Sequence, residues 1–137
     1  MVVVFDASSV VGAALKETGV PRRALLSARQ RNTIALSWPV YSEIDEVLRR
    51  PKFAAVLTEG RRLDVMELLL ATAAWFQPVV MVQDCRDAKD NKYLELALSA
   101  NAEIIVSSDA DLLDLDPWRG IRIMRPVEFL TASGPPH

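Results

Sequence analysis

The sequence predicts a single-domain α/β protein with a parallel sheet. Short, uniformly apolar runs alternate along the chain with longer segments of helical periodicity. Uniformly apolar runs are expected of strands that are covered on both faces. Strands that alternate with helices in this way favour a parallel sheet with helical crossovers. A length of 137 residues suits one domain with its own core. We expect that domain to span 1–130 and a disordered C-terminal tail to span 131–137.

Helix caps and prolines set the boundaries of the predicted elements. Ser8 and Ser9 can cap the first helix, and Pro21 and Pro39 suit the first turns of two others. Pro51 ends the helix that begins at Pro39. The predicted strands are 2–5, 33–37, 78–82, 103–106 and 121–124, and the predicted helices are 10–16, 21–31, 39–50, 60–76, 90–98, a short helix around 112–113, and 126–130.

Composition excludes several kinds of chemistry. The only histidine is His137 and the only cysteine is Cys85, so imidazole catalysis, an intrachain disulfide and a paired-thiol metal site have no basis here. We expect no signal peptide and no membrane-spanning helix, and therefore a cytoplasmic protein. The net charge of −2 speaks against nucleic-acid binding by bulk positive charge, unless bound metal neutralises clustered acids.

Four acidic residues follow or flank four separate apolar runs: Asp6, Glu43, Asp90 and Asp109. In an open parallel sheet, ligands bind beyond the carboxyl ends of the strands, which is where Asp6 and Asp109 fall. These two would be neighbours if the first and fourth strands were adjacent. Carboxylate oxygens suit Mg²⁺ or Mn²⁺, and such ions suit phosphoryl chemistry. The hypothesis is that the four acids converge.

Each of these acids also has a simpler structural interpretation. Asp6, Asp90 and Asp109 could cap the helices that follow them. Glu43 lies at the margin of an apolar helical stripe, where a partly buried carboxylate needs either a metal ion or a hydrogen-bond partner. Asp111 suits the first turn of a helix, where it complements the helix dipole, or it belongs to the site.

Two neighbouring acids are explained without a site. Asp45 and Glu46 have Arg49 and Arg50 four residues further on, which is the spacing of ion pairs on a helix surface. We therefore predict that Asp45 and Glu46 form solvated ion pairs.

Four segments carry a resemblance to a known family. They are VVVFDASSVVGAAL, SWPVYSEIDEVLRRPKF, CRDAKDNKYLELALSANAEIIVSSDADLLDL and IRIMRPVEFL. Together they resemble the PIN-domain family, in particular the VapC-like toxin components of bacterial toxin–antitoxin systems, over nearly the whole chain. The third segment is the most specific, because its acids, apolar helix and Ser-Ser-Asp strand end would rarely occur together by chance.

The resemblance implies an α/β/α sandwich with a five-stranded parallel sheet in which the first and fourth strands adjoin. It also implies a set of site residues. Ser8 stands where the family often has Asn, Ser107 stands where a Ser or Thr usually forms a hydrogen bond in the site, and Asp111 is a further supporting candidate. The acids that would hold metal and carry catalysis are Asp6, Glu43, Asp90 and Asp109.

The function that the resemblance implies is a Mg²⁺- or Mn²⁺-dependent endoribonuclease, the toxin of a toxin–antitoxin pair. Its expected partners are an RNA substrate, a cognate antitoxin and a second copy of the chain in a homodimer. The alternative is a catalytically inactive PIN module that binds RNA or a protein.

Overall fold

A computed structural model describes residues 1–132 as a five-stranded, all-parallel sheet with strand order β3-β2-β1-β4-β5. Helices flank the sheet, which gives the predicted α/β/α arrangement. The strands are β1 Val2–Phe5, β2 Thr33–Leu36, β3 Ala74–Trp75, β4 Ile104–Val106 and β5 Arg122–Met124. The helices are α1 Ala7–Leu15, α2 Val20–Arg31, α3 Trp38–Leu48, α4 Glu59–Leu70, α5 Asn91–Ser99, α6 Ala110–Leu113 and α7 Pro126–Ala132, with 3-10 turns at Pro51–Phe53 and Ala88–Asp90.

The central strand β1 explains why its apolar run does not alternate. Val3, Val4 and Phe5 are all buried, because helices cover both faces of the sheet. Helix α5 packs against β1, β2 and β4. The ring of Phe5 meets that of Phe129 in α7 edge to face, with centroids 6.0 Å apart. Burial of these side chains is what holds β1 at the centre of the core.

The register between β1 and β4 determines where the functional candidates meet. Phe5 pairs with Val106, so the residues that follow, Asp6 and Ser107, leave adjacent strands at the same edge of the sheet. The Asp6 amide continues the ladder by donating a 3.1 Å hydrogen bond to the Val106 carbonyl. The expected adjacency of the first and fourth strands is therefore confirmed.

The third strand was predicted in the wrong place. The sequence favours a strand at 78–82, whereas β3 is Ala74–Trp75, and α4 ends at Leu70 instead of reaching position 76. The Phe76 amide also donates to the Leu36 carbonyl of β2 at 2.8 Å. The chain therefore begins to pair with β2 only a few residues after the end of α4.

The segment 78–82 leaves the sheet for two physical reasons. Pro78 has no amide hydrogen to donate to a strand ladder. The Val82 amide donates to Glu95 Oε2 at 2.9 Å, which commits it to α5 instead of to a strand. Val79 and Met81 are 91% and 84% exposed. Apolar composition alone does not distinguish such a segment from a buried strand.

Several element ends also differ from the prediction. Helix α1 begins at Ala7, before the predicted start at position 10, because Asp6 itself caps it. Ser37, predicted to end β2, instead caps α3 by accepting a hydrogen bond from the Val40 amide. Helix α7 extends to Ala132, and the rest of the predicted tail lies outside the described residues. Within 1–132, no helix combines the length and apolar character needed to cross a membrane.

Candidate metal centre

Asp6 follows β1 directly, and hydroxyl and amide donors hold its buried carboxylate. Oδ1 accepts hydrogen bonds of 2.7 Å from Ser8 Oγ and 3.0 Å from the Ser9 amide. Oδ2 accepts a hydrogen bond of 2.5 Å from Ser107 Oγ, at the end of β4. Asp6 is 3% exposed. The carboxylate therefore caps α1, as its simpler interpretation predicts, and is also tied to β4.

Ser107 connects Asp6 to Asp109. Its hydroxyl oxygen donates to Asp6 and accepts a 2.9 Å hydrogen bond from the Asp109 amide. Asp109 Oδ1 accepts a 3.0 Å amide hydrogen bond in the first turn of α6, which it caps. A second connection runs through Ser8, whose hydroxyl accepts a 3.0 Å hydrogen bond from the Ser108 amide. The two strand ends are thus locked side by side.

Asp90 ends the 3-10 turn Ala88–Asp90 and precedes α5, yet its carboxylate caps neither. The cap interpretation is therefore wrong, since no side-chain hydrogen bond closes the start of α5. Asp90 is 8% exposed, and its Oδ2 is buried without a hydrogen-bond partner among residues 1–132. An unpartnered buried carboxylate oxygen is costly, and a cation is the ligand that would satisfy it.

Further carboxylates meet Asp90. Oxygens of Asp87, Asp90 and Asp111 all lie within 4.8 Å of one another. Asp109 is close enough to share a hydrogen bond with Asp90. Asp87 was not among the predicted site residues, although its spacing of three from Asp90 would have indicated a role. Side chains at i and i+3 eclipse in a 3-10 turn, which is the conformation between these two residues.

Burial and mutual repulsion change the protonation of these acids. The pKa of Asp90 is raised to about 8, chiefly by burial and also by the hydrogen bond with Asp109 and the charges of Asp109, Asp87 and Asp6. Burial also raises the pKa of Asp6, although hydrogen bonds, chiefly from Ser107, work in the opposite direction. A divalent cation would supply the positive charge that keeps both groups ionised.

Glu43 extends from α3 toward α5, and protein donors occupy both of its oxygens. Oε2 pairs with Lys92 Nζ, and Oε1 accepts a hydrogen bond from the Tyr93 hydroxyl. The same hydroxyl accepts a 3.1 Å hydrogen bond from the amide of Ala7, the residue after Asp6. The side chain of Glu43 is 16% exposed, as its position on the helix predicts. Neither Lys92 nor Tyr93 was predicted to be a partner of Glu43.

The donor chemistry fits a hard divalent cation. Asp6, Asp90, Asp109 and Asp111 offer carboxylate oxygens, which suit Mg²⁺ and Mn²⁺. The nearby thiol of Cys85 is buried, and burial with the adjacent acids raises its pKa, so it stays protonated and does not compete as a thiolate ligand.

The acids assigned to ion pairs take those roles. Asp45 pairs with Arg49 at 3.0 Å and Glu46 with Arg50 at 3.4 Å. Asp45 also accepts a 3.3 Å hydrogen bond from Arg62, whose side chain is only 9% exposed. Asp45 is therefore more than a solvated surface acid, because it neutralises a buried guanidinium.

Known proteins resemble this chain in sequence and in fold. A family model described as a PIN domain matches residues 2–111. The uncharacterized protein MJ1680 of Methanocaldococcus jannaschii is 27% identical over 115 residues, which cover 82% of this chain and 74% of the relative.

Two solved structures share the fold. One is the crystal structure of VapBC2 from Rickettsia felis bound to a DNA fragment from the VapBC2 promoter. It matches with a TM-score of 0.61 at 13% identity, and the match covers 90% of this chain and 97% of that one. PAE2754 from Pyrobaculum aerophilum matches with a TM-score of 0.57 at 16% identity, covering 94% of this chain and 87% of that one. At such identities the likeness concerns the fold.

Proposed function

The chain belongs to the PIN-domain family, and from this we propose that it is a Mg²⁺- or Mn²⁺-dependent endoribonuclease that acts in the cytoplasm as the toxin of a toxin–antitoxin pair. One observation carries the proposal. Among residues 1–132, Asp90 Oδ2 is buried without a hydrogen-bond partner, and the carboxylates of Asp87 and Asp111 lie close to that of Asp90. Such an arrangement is unfavourable for the protein alone and favourable around a cation.

Asp6, Asp90 and Asp109 are the residues we propose as metal ligands, with Asp111 as a supporting acid. A bound divalent ion lowers the pKa of its water and neutralises charge on the phosphate. Ser107 and Ser8 act on Asp6, which they orient by hydrogen bonds of 2.5 and 2.7 Å.

The reaction would be hydrolysis by water without a covalent intermediate. The water oxygen forms a bond to phosphorus as one of its protons passes to solvent. The ester P–O bond breaks as the leaving oxygen takes a proton from solvent, which leaves one phosphomonoester and one hydroxyl end. No side-chain nucleophile is needed. The site has no imidazole near it within residues 1–132, and the Cys85 thiol is 6% exposed with a raised pKa, which disfavours attack by sulfur.

Cleavage of single-stranded RNA by the purified protein tests the proposal. We expect cleavage with Mn²⁺ or Mg²⁺ and none in EDTA. The Asp90→Asn variant should be inactive, whereas Glu46→Gln, which alters only an exposed ion pair, should retain wild-type activity. Cleavage that persists in EDTA, or an active Asp90→Asn protein, would contradict the proposed mechanism.

An inactive PIN module is the second candidate. Lys92 and Arg86 already pair with acids at the site, so in the absence of metal the acids are partly neutralised by protein groups. Tight RNA binding with no cleavage under any divalent ion would favour this reading. Binding and cleavage must therefore be measured on the same RNA.

An antitoxin is the expected protein partner. Its tail would place a basic side chain among the acids, where it would replace the charge of the metal ion. A peptide of this kind should compete with Mn²⁺ for the protein in calorimetric titrations. If the peptide and Mn²⁺ do not compete, the antitoxin tail does not bind at the acidic centre.

We further propose a homodimer that buries an aromatic surface beside β3. The surface consists of Trp38, Tyr41 and Trp75 and continues into 78–81. Trp38 and Trp75 are 68% and 50% exposed, and Tyr41 lies between them with ring centroids 5.5 and 5.8 Å away. A cavity of about 550 Å³ is bounded by Trp38, Trp75 and Pro78.

The chemistry of the aromatic surface favours a second copy of the chain over RNA. The stretch 68–83 contains no charged residue, so it offers no positive charge to neutralise a phosphate. Exposed apolar patches larger than about a few hundred Å² are uncommon on monomers and are typical of permanently covered interfaces. Val79 and Met81 follow Trp75 closely in the chain and add two further exposed apolar side chains to the two tryptophans.

A further inference from the structure

We propose that Lys92 donates hydrogen bonds to a phosphate of the RNA, and that Glu43 and Tyr93 are positioning residues that hold its ammonium group at the site. The proposal rests on the nuclease function proposed above and adds a substrate contact to it. It also changes the role of Glu43, which becomes the anchor of a cation instead of a metal ligand.

Lys92 has the geometry of an anchored but available cation. Its ammonium pairs with Glu43 Oε2, and its side chain is still 24% exposed. A lysine ammonium has three N–H donors, so at least one more can reach a ligand while the pair with Glu43 persists. Lys92 lies in the first turn of α5, and its partner Glu43 is linked through the Tyr93 hydroxyl to the amide of Ala7, the residue after Asp6.

Tyr93 fixes the position of Glu43. Its ring is buried, at 1% exposure, and its hydroxyl both donates to Glu43 Oε1 and accepts from the Ala7 amide at 3.1 Å. Both hydrogen-bonding capacities of the hydroxyl are therefore used. A continuous chain of contacts runs from Lys92 through Glu43 and Tyr93 to Ala7, the residue after Asp6.

Glu43 differs from Asp6 because an ammonium already compensates its charge, whereas Asp6 accepts hydrogen bonds only from neutral hydroxyl and amide groups. Lys92 and Tyr93 each donate to a different oxygen of the Glu43 carboxylate. What this arrangement does well is hold an ammonium in one position.

The acids around Asp90 create the need for such a cation. Carboxylates at the strand ends repel an approaching phosphate, and a fixed positive charge beside them reduces that repulsion. Two other cations near these acids are less suited. Arg86 bridges Asp111 and Asp114 with a side chain that is 67% exposed, and the Lys89 side chain is 72% exposed.

The salt dependence of RNA binding measures this contact without relying on cleavage. A single-stranded RNA is titrated with protein in Ca²⁺ at several NaCl concentrations, and gels verify that the RNA stays intact. Loss of one phosphate contact reduces the slope of log K against log salt by about 0.7. We expect that reduction for Lys92→Met. Lys92→Arg, which keeps the charge, should restore most of the slope.

A matched control tests whether any lysine would give the same result. Lys52 lies in the 3-10 turn Pro51–Phe53, and its ammonium lies 5.1 Å from the centroid of the Phe53 ring. Lys52→Met should leave the slope unchanged. The double variant Lys92→Met/Glu43→Gln covers the risk that an unpaired Glu43 destabilises the fold, and it should show the same reduced slope as Lys92→Met.

Metal affinity separates an anchor from a ligand. In calorimetric titrations with Mn²⁺, Glu43→Gln should change the dissociation constant by less than about threefold, whereas Asp90→Asn should weaken it by tenfold or more. An unchanged salt slope in Lys92→Met and in the double variant would overturn the phosphate contact. Equal losses of Mn²⁺ affinity in Glu43→Gln and Asp90→Asn would overturn the anchoring role.

Failure of this proposal is distinguishable from failure of the nuclease function. A wild-type protein that binds RNA with a slope dependent on Lys92, but never cleaves it, would support the phosphate contact and refute the nuclease. If the wild-type protein cleaves RNA but the Lys92 variants show an unchanged salt slope of RNA binding, the nuclease function is supported and the phosphate contact is refuted.

Discussion

Ser107 and Asp6 lie 101 positions apart in the sequence and are joined by a hydrogen bond of 2.5 Å from Ser107 Oγ to Asp6 Oδ2. The contact exists because β1 and β4 are adjacent and parallel, so that their carboxyl ends coincide. It fixes the rotamer of a buried carboxylate at the proposed metal centre. Removing the hydroxyl therefore tests both stability and function.

Ser107→Ala should destabilise the protein and weaken metal binding. A hydrogen bond to a charged, buried group contributes about 1.5–3 kcal/mol, so we expect a loss of that order in urea unfolding at pH 7.5. Ser99→Ala is the matched control, because Ser99 Oγ is buried without a hydrogen-bond partner within the described chain. If both variants lost equal stability, the Ser107–Asp6 hydrogen bond would have no special importance.

Asp6→Asn and Asp109→Asn should each abolish RNA cleavage while the protein still folds. Asparagine keeps the shape of the side chain but removes the charge that holds a metal ion. Glu46→Gln serves as the control, since its exposed pair with Arg50 is worth at most about 0.5 kcal/mol. Gel assays of cleavage, with circular dichroism spectra to verify folding, give the result. Wild-type activity in either site variant would refute the site.

Asp45 should behave differently from Glu46. Asp45→Asn should leave cleavage unchanged but lower stability by more than Glu46→Gln does, because it leaves the buried Arg62 guanidinium short of a carboxylate partner. Chemical denaturation of the two variants side by side provides the comparison. Equal midpoints would show that Arg62 finds sufficient compensation elsewhere.

The metal-free protein should lose stability as the pH rises from about 4 to 8. Asp90 has a pKa of about 8 in the folded state against about 3.9 in the unfolded chain, so the folded protein binds more protons across this range. The free energy of unfolding must then fall with rising pH. Melting curves in EDTA at pH 5, 6.5 and 8 should show the trend, and Asp90→Asn should reduce it.

Mn²⁺ should remove this loss of stability. The ion binds the carboxylate form, so its stabilising effect should be larger at pH 8 than at pH 5, where protons compete. At a hundredfold excess over its dissociation constant, an ion that binds only the folded state adds about 2.7 kcal/mol. A melting temperature that stays constant with Mn²⁺ at pH 8 would mean that these acids do not form a metal centre.

The aromatic surface should control the oligomeric state. We expect the wild-type protein to be a dimer at micromolar concentration and Trp75→Lys or Val79→Asp to produce a monomer, because burying an unpaired charge in an apolar interface is costly. Val127→Lys is the control, since Val127 is similarly exposed, at 54%, but lies on α7. Multi-angle light scattering distinguishes the outcomes, and a wild-type monomer would refute the homodimer.

Local patterns in the sequence were sufficient for much of the fold. Uniform apolar runs at 2–5 and 103–106 predicted buried parallel strands, because strands covered on both faces need no alternation. Asp6 and Asp109 were correctly assigned to strand ends. The segment 78–82 misled the prediction, because its apolar composition is the same whether it lies in a sheet or on the surface, and only pairing partners decide between the two.

Tertiary structure alone decided which acids and cations meet. The sequence by itself determined the supply of carboxylates and the near absence of imidazole and thiol, since composition and position are local properties. It did not determine that Lys92 and Tyr93 would donate hydrogen bonds to the Glu43 carboxylate, or that the Asp87 carboxylate would lie close to that of Asp90. Those contacts depend on how α3 and α5 pack and on the 3-10 turn before α5. Side-chain convergence between distant segments is set by packing, which no local pattern encodes.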